Sequence, residues 1–273
     1  QIFKYANSNK VGIPVRLLDF LNFQKNINVG VYEFHLSYQE SMQGNFLNTT
    51  KLIKSSDHIS IHLPDYLPGN RIIDPVSDDK EIRSESRSLI SNIVSFAEII
   101  SDKISKSVPI VGSFSQTNNR PKQVILDDIF SFLEEKEFNK YNILPQWLPV
   151  YAWYFGGAVK LDLFNSLDDI NYIVKNNKSI CLDLCHLSLS ANYAGADWRD
   201  WYKLLMYNSP HLHLADAEGS DGEGLQLGEG NIGNFQKFLN LDGMKIIEVW
   251  QAHFNDGEGF LKALSILEEG RKV

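Results

Sequence analysis

The sequence is poor in cysteine, carries fewer cations than anions and has no long apolar run. Only two cysteines occur among its 273 residues, Cys181 and Cys185. Both fall on one extended segment, on the same face of it, where a disulfide is geometrically poor. A disulfide framework is thereby excluded, and a reduced, cytoplasmic chain is the expectation. Lys and Arg number 26 against 34 Asp and Glu, a formal net charge of -8. A sequence-independent nucleic-acid binder needs a basic footprint, so no nucleic-acid partner is expected. A small anion remains open to the chain, because one Arg and a few backbone N–H groups suffice for a phosphate. No apolar run approaches the ~20 residues of a membrane span, and no signal peptide is visible, so no membrane partner is expected either. The first residue is Gln rather than Met, as in a processed chain or an excised part of a longer one.

What the sequence does have is core-forming material. Hydrophobic residues make up 43% of it, with 16 Phe, 11 Tyr and 5 Trp, which argues against disorder. Its length suits one α/β barrel of about 250 residues, so residues 1–273 are read as a single domain. Trp198 and Trp201, read as exposed, would mark an interface with a further subunit.

Short apolar runs alternate with longer amphipathic stretches, the rhythm of a parallel sheet with crossover helices. Strands are predicted at residues 29–35, 58–63, 108–114, 141–147, 179–184, 210–215 and 244–249. An eighth is placed at residues 2–6, with Pro14 opening the first helix; if the sequence starts late, this first strand is incomplete or irregular. Helical spacing of Leu89, Ile93, Phe96 and Ile100 marks a helix over Lys80–Ile104. Further helices are predicted at residues 127–136, 167–175, 198–207, 235–239 and 259–269, with Asp168, Asp197 and Asn231 as candidate caps. Residues 77–88 read as a polar loop running into a helix. No linker divides the chain. This unbroken series predicts a (β/α)8 TIM barrel ahead of an open doubly wound sheet.

In such barrels the active site lies at the C-terminal strand ends. There the sequence places Glu33 and His35, His62, Gln146, Asp183 with His186, His211 with His213, and Glu248. Period-2 alternation puts Cys181 with Asp183 on one face, His211 with His213 on another, and Ile246 with Glu248 and Trp250 on a third. An isolated buried carboxylate cannot stay ionised without a partner. A divalent cation shared by Asp183, His213 and Glu248 answers that need. Each of these groups alone has a plainer explanation as a helix cap or a satisfied core histidine; their fall on three successive strand ends carries the metal reading. Cys181 and Cys185 have poor zinc spacing and are assigned to the core, while His58 and His253 are read as ordinary positions.

After the seventh strand, residues 215–232 read ADAEGSDGEGLQLGEGNI. The glycines make this a loop that can wrap a ligand, and Asp216, Asp221, Glu223 and Glu229 supply carboxylates. It is either a solvated acidic loop or a substrate-closing one.

The motifs Asp183-Leu-Cys-His186, His211-Leu-His213-Leu-Ala-Asp216, the run GEGLQLGEGNI at residues 222–232 and Glu248 in IIEVW together resemble the xylose-isomerase-like barrels. That family includes sugar and sugar-phosphate isomerases and epimerases and, more distantly, apurinic-site endonucleases. The resemblance spans roughly residues 33–249. It implies Asp183, His213 and Glu248 as metal ligands, His186 as a substrate-contacting histidine and His62 of His62-Leu-Pro64 as a residue lining the mouth. Glu248 would double as acid and base.

Two departures bear on the chemistry. Epimerases of this kind use a second Glu at the end of strand five as ligand and base; here the best-placed residue is Gln146, which coordinates through oxygen but cannot take a proton. At strand four the endonucleases keep a His, where this chain has Ser113 and Phe114.

The resemblance therefore implies an isomerase or epimerase of a small-molecule sugar or sugar phosphate. It would use one divalent metal ion (Mn, Mg, Co or Zn fit this ligand set alike), with Glu248 and His186 catalytic and Asp183, His213, Glu248 and Gln146 holding the ion. His62, Glu33, His211, Arg120, Glu223 and Glu229 are the substrate-binding candidates. A phosphate would use Arg120, in the loop at residues 116–122, or the Gly156-Gly157 backbone. A metal-dependent lyase or dehydratase on a keto-sugar, and a barrel module without chemistry, are the alternatives.

Overall fold

The computed structural model describes residues 1–44, 46–116 and 119–270. Eight strands form its centre: β1 (Val11–Val15), β2 (Val31–His35), β3 (His58–His62), β4 (Ile110–Gly112), β5 (Ile143–Pro145), β6 (Cys181–Asp183), β7 (His211–Leu214) and β8 (Met244–Ile247). They lie in the order β6-β7-β8-β1-β2-β3-β4-β5, every pairing parallel. A parallel bridge between Gln146 and Cys181 joins the two ends of this series, so the sheet closes into a TIM barrel.

The strands are short and apolar on both faces, as a parallel sheet covered by helices requires. Outward residues such as Ile13, Phe34, Ile61, Leu182 and Leu214 belong to the main core between strands and helices. Inward residues plug the lower barrel: Val31, Met244 and Ile246 in one group, Val111, Leu144 and Cys181 in another. Gly12 faces this interior, where an added Cβ would lie 2.5 Å from the Val31 carbonyl oxygen. Above the plug the inward positions turn polar, and that change of chemistry creates the site.

The helix Lys80–Ile104 forms as its spacing predicts. The Asp79 side chain accepts from the Glu81 and Ile82 N–H groups, and Leu89, Ile93, Phe96 and Ile100 are buried against the barrel. The helix Lys122–Leu133 begins five residues before its predicted start, and residues 235–239 shrink to a 3-10 turn, Gln236–Phe238. Asp197 caps its helix, accepting from Arg199 N–H. Asp168 does not: Ser166 and Asp169 form a capping box there. Nor does Asn231, whose backbone N–H bonds Ala217 in a loop.

The first strand differs from expectation. Residues 2–6 lie in a helix, Ile2–Ser8, which packs beside the C-terminal helix Phe254–Glu269, the Tyr5 hydroxyl donating to the Leu267 carbonyl at 3.0 Å. Strand one is the complete segment VGIPV, with Pro14 inside it rather than at a helix start. Pairing with β8 covers Val11 and Gly12 only, so the missing N–H of Pro14 breaks no rung on that side. Trp198 and Trp201 are buried, not exposed; Trp201 meets Trp147 edge-on at 6.1 Å. Both cysteines are free and buried, but they share no strand: Cys181 is in β6 and Cys185 in the helix Leu184–Tyr193 that follows. No helix among the described residues is long and apolar enough to cross a membrane.

Candidate active site

Two tiers of polar side chains occupy the upper barrel. In the lower tier the fully buried Glu33 of β2 is the hub. Its Oε2 accepts from Ser60 Oγ and His211 Nε2, each at 2.8 Å. Its Oε1 lies 2.9 Å from His35 Nε2 and 2.9 Å from His213 Nε2. The His213 contact is off the line of a good hydrogen bond. Burial alone would raise the Glu33 carboxyl, but the imidazoles of His213 and His211 outweigh it and hold it well below the usual range.

The upper tier is set by the ends of β5 to β8. His213 Nδ1 faces Glu248 Oε2 at 2.9 Å, Gln146 Nε2 at 3.2 Å and Asp183 Oδ2 at 3.7 Å. Asp183 has a structural duty as well: Oδ1 accepts the His186 N–H at 3.0 Å and caps the helix Leu184–Tyr193. Gln146 donates to Asp183 Oδ2 at 3.0 Å, while its carbonyl accepts from His62 Nε2 at 2.9 Å and Ser113 Oγ at 3.1 Å. Ser113 therefore occupies its strand-four position as a support for Gln146.

His186 places Nδ1 3.0 Å from the Trp147 carbonyl oxygen and Nε2 2.9 Å from Glu223 Oε1. Both ring nitrogens face acceptors, so the doubly protonated ring fits best. Burial opposes that charge, but Asp183 and Glu223 overcome it and raise His186 to about 9. Burial likewise works against Glu248, yet His213, His35 and His62 keep its carboxyl below the ordinary range. The carboxylates of this mouth thus favour positive charge beside them.

The same demand for positive charge tests whether a divalent cation fits. Glu33 stands behind His213 on its Nε2 side, 2.9 Å away but out of hydrogen-bond alignment, and Nδ1 faces two carboxylate oxygens and an amide. Among the described residues, two groups of three side chains bring ligating atoms within 4.8 Å of one another: Glu33–His213–Glu248 and Cys181–His211–His213. Asp183 is in neither, but stands next to the first. The second group suits a metal less, because burial pushes the Cys181 thiol up to about 12 and only thiolate binds a metal strongly.

These tiers floor a cavity of about 990 Å³, lined among others by His35, His62, Gln146, Asp183, His186 and Glu248. Glu223 lines it too. Glu33, His211 and His213 lie beneath. Two sequence candidates are elsewhere. Arg120 is tied to Asp128 at 2.6 Å, Asp78 at 3.3 Å and the Val76 carbonyl oxygen at 2.7 Å, outside the cavity lining; Thr117 and Asn118 of its loop lie outside the described residues. Glu229 pairs with Lys262 at 2.7 Å on the surface. Gly156 and Gly157 also lie off the cavity, at the hairpin joining Tyr151–Tyr154 to Gly157–Lys160.

Asp216 has a different part from the ligand-facing one weighed for it. Its carboxylate accepts from the N–H groups of Ala217 (2.9 Å), Ile232 (2.9 Å) and Gly228 (3.0 Å), stapling the glycine loop closed. Gly230 passes so near that an added Cβ would sit 2.3 Å from the Ala217 carbonyl oxygen. Trp250 lines the cavity with Glu248, as their shared face predicts, but sequence reading missed Tyr66 and Trp153; their trace was there, in aromatic residues within the Pro- and Gly-containing stretches after β3 and β5.

No family model matches the chain, and no curated protein does. Solved structures do. A 3-keto-D-glucoside 4-epimerase from E. coli superposes with a TM-score of 0.63 at 15% identity, over 97% of this chain and 99% of that one. A xylose isomerase domain protein from Alicyclobacillus acidocaldarius gives 0.56 at 13% identity, over 96% and 97%. The fold is that of the xylose-isomerase-like barrels. A probable 3-DHS dehydratase from Bacillus anthracis, involved in petrobactin synthesis, adds a TM-score of 0.60 at 14% identity, over 95% and 98%. At such identities the likeness establishes the xylose-isomerase-like fold, and the chemistry is argued from the residues.

Proposed function

We propose that the chain is a divalent-metal-dependent isomerase or epimerase of a sugar. The observation that carries this reading is the meeting of His213 Nδ1, Glu248 Oε2 and Asp183 Oδ2, at 2.9 and 3.7 Å from the imidazole, on the floor of an open cavity. His213, Glu248 and Asp183 would hold the ion, with Gln146 turning its carbonyl oxygen inward and Glu33 supporting His213 from behind. A divalent ion there supplies Lewis acidity toward adjacent substrate oxygens. Glu248, at the cavity floor and ionised, takes the proton from the carbon next to the carbonyl. His186, held at Nε2 by Glu223, would contact the substrate and serve with Glu223 as the partner that returns the proton. The superposable 3-keto-D-glucoside 4-epimerase agrees with sugar as the substrate class.

The test is incorporation of solvent deuterium into a panel of keto-sugars, read by NMR, in the metal-loaded enzyme. The wild type exchanges the proton beside the carbonyl, and Glu248→Gln does not. An active Glu248→Gln enzyme overturns the assignment.

Gln146 favours a second reading, elimination of water from a keto-sugar. One carboxylate base suffices for that reaction, and the amide at the end of β5 cannot serve as another. The superposable dehydratase shares the fold. An unsaturated product in place of an epimer selects this reading.

A further inference from the structure

We propose that the substrate of this site is an uncharged glycoside of two rings, the reacting sugar over the strand-end cluster and the second ring stacked on the aromatic rim, rather than a sugar phosphate. The inference rests on the sugar reading above and narrows it.

Charge is the first argument. Among the described residues the cavity is lined by five carboxylate side chains, Asp19, Asp65, Asp183, Glu223 and Glu248, and by a single Lys or Arg, Arg16. Arg16 is already committed: its Nε and Nη2 bond Glu40 Oε2 at 3.0 and 2.5 Å. His35, His62 and His186 are bonded within the cluster, and the remaining imidazole, His253, lies at the rim edge-on to Phe254. A phosphate dianion would find no free guanidinium or ammonium among the lining residues to receive it, and both phosphate subsites expected from the sequence, at Arg120 and at Gly156-Gly157, lie outside the lining. A neutral polyol needs no such partner.

Shape is the second. The cavity, about 990 Å³, is far larger than one hexose needs and stands at the upper end of small-molecule sites, which run to about 1,000 Å³. Two hairpins build one wall. Tyr66, from the hairpin after β3, meets Tyr154 at 5.3 Å and Phe155 at 4.9 Å in the hairpin after β5. Beneath them Leu148, Ala152, Tyr154 and Leu161 form a small apolar core, so the wall is packed, not loose. Trp153 projects from it 66% exposed, and Trp250, after β8 on the other side of the barrel, is 58% exposed. Trp250 is set by a bond from its backbone N–H to the Gly224 carbonyl at 2.9 Å, its ring lying where a Cβ on Gly224 would be. Flat aromatic rings at the mouth of a polar cavity suit the apolar faces of a pyranose or an aryl aglycone.

Saturation-transfer NMR with Mg2+ present tests this, using cellobiose, p-nitrophenyl glucoside, glucose and glucose 6-phosphate as probes. Both two-ring probes should receive saturation on both rings, and glucose 6-phosphate none. Trp153→Ala, a surface change outside the strand-end cluster, should weaken the two-ring probes on the order of tenfold and leave glucose within about twofold. Tighter binding of glucose 6-phosphate than of cellobiose, failure of both two-ring probes to bind, or a Trp153→Ala protein that binds them unchanged overturns the proposal. Two-ring binding without deuterium exchange in any keto-sugar would instead remove the catalytic reading and leave the subsite. Exchange confined to a phosphorylated keto-sugar would remove the subsite and leave the catalytic reading.

Discussion

Gln146 donates its side-chain amide to Asp183 Oδ2 at 3.0 Å, joining β5 to β6 at the point where the barrel closes. The pair explains how a neutral amide is accommodated among acids: as a donor it satisfies a buried carboxylate in the absence of a cation. Gln146→Glu reverses this. The new carboxylate would face Asp183 with like charge, so the metal-free protein should lose a few degrees of Tm. A carboxylate is also a better ligand than an amide, so Mn2+ should bind on the order of tenfold more tightly. Calorimetric titration and melting in EDTA against Mn2+ check both. An unchanged or weaker Mn2+ affinity would count against Gln146 as a neighbour of the ion.

Asp216 holds the glycine loop through backbone N–H groups on both sides of it. In Asp216→Asn one carboxylate oxygen becomes an NH2 facing those donors, a loss of about 1–3 kcal/mol for buried groups left unpaired. Tm should fall by roughly 3–8 °C. Because Glu223 belongs to the same loop, contact with His186 should loosen and KM should rise. A variant that melts like the wild type would show the loop to be held by other means.

Lys245 lies at the bottom of β8, 2% exposed, donating to the Asn9 carbonyl at 3.1 Å and to the Leu241 carbonyl. Burial first, and repulsion from Lys10 second, lower its pKa from 10.5 to about 8. Below about 8 the residue is charged in both folded and unfolded chains, and the folded state bears the full cost of burying it. Between about 8 and 10.5 the folded chain binds fewer protons than the unfolded one, so its stability rises with pH there. Relative to Lys245→Met, the wild type should gain Tm between pH 7.5 and pH 10 in the metal-free protein. A difference independent of pH would contradict the depressed pKa.

Much of this architecture was legible in the order of residues. Strands buried on both faces appear as short apolar runs, and the period of two carries Glu33, Asp183, His213 and Glu248 inward together. The first strand was not legible, because VGIPV is short and contains Pro14, while IFKYA has the aromatic content of a strand without its partners. Distance in space, not in sequence, decided the remaining errors. Arg120 reads as a free cation until Asp78 and Asp128 are seen beside it. Glu33 reads as one carboxylate among several until His211, Ser60 and His213 are found around it. The wall that carries Tyr66 and Trp153 depends on two hairpins whose meeting no local pattern encodes.

The proposed chemistry needs one ion at the ends of β6, β7 and β8, and calorimetric titration of the metal-free protein with Mn2+ tests for it most directly. One equivalent should bind per chain, with affinity falling more than about tenfold in His213→Ala and in Glu248→Gln. Failure to bind any stoichiometric ion, or binding that both substitutions leave untouched, would contradict it.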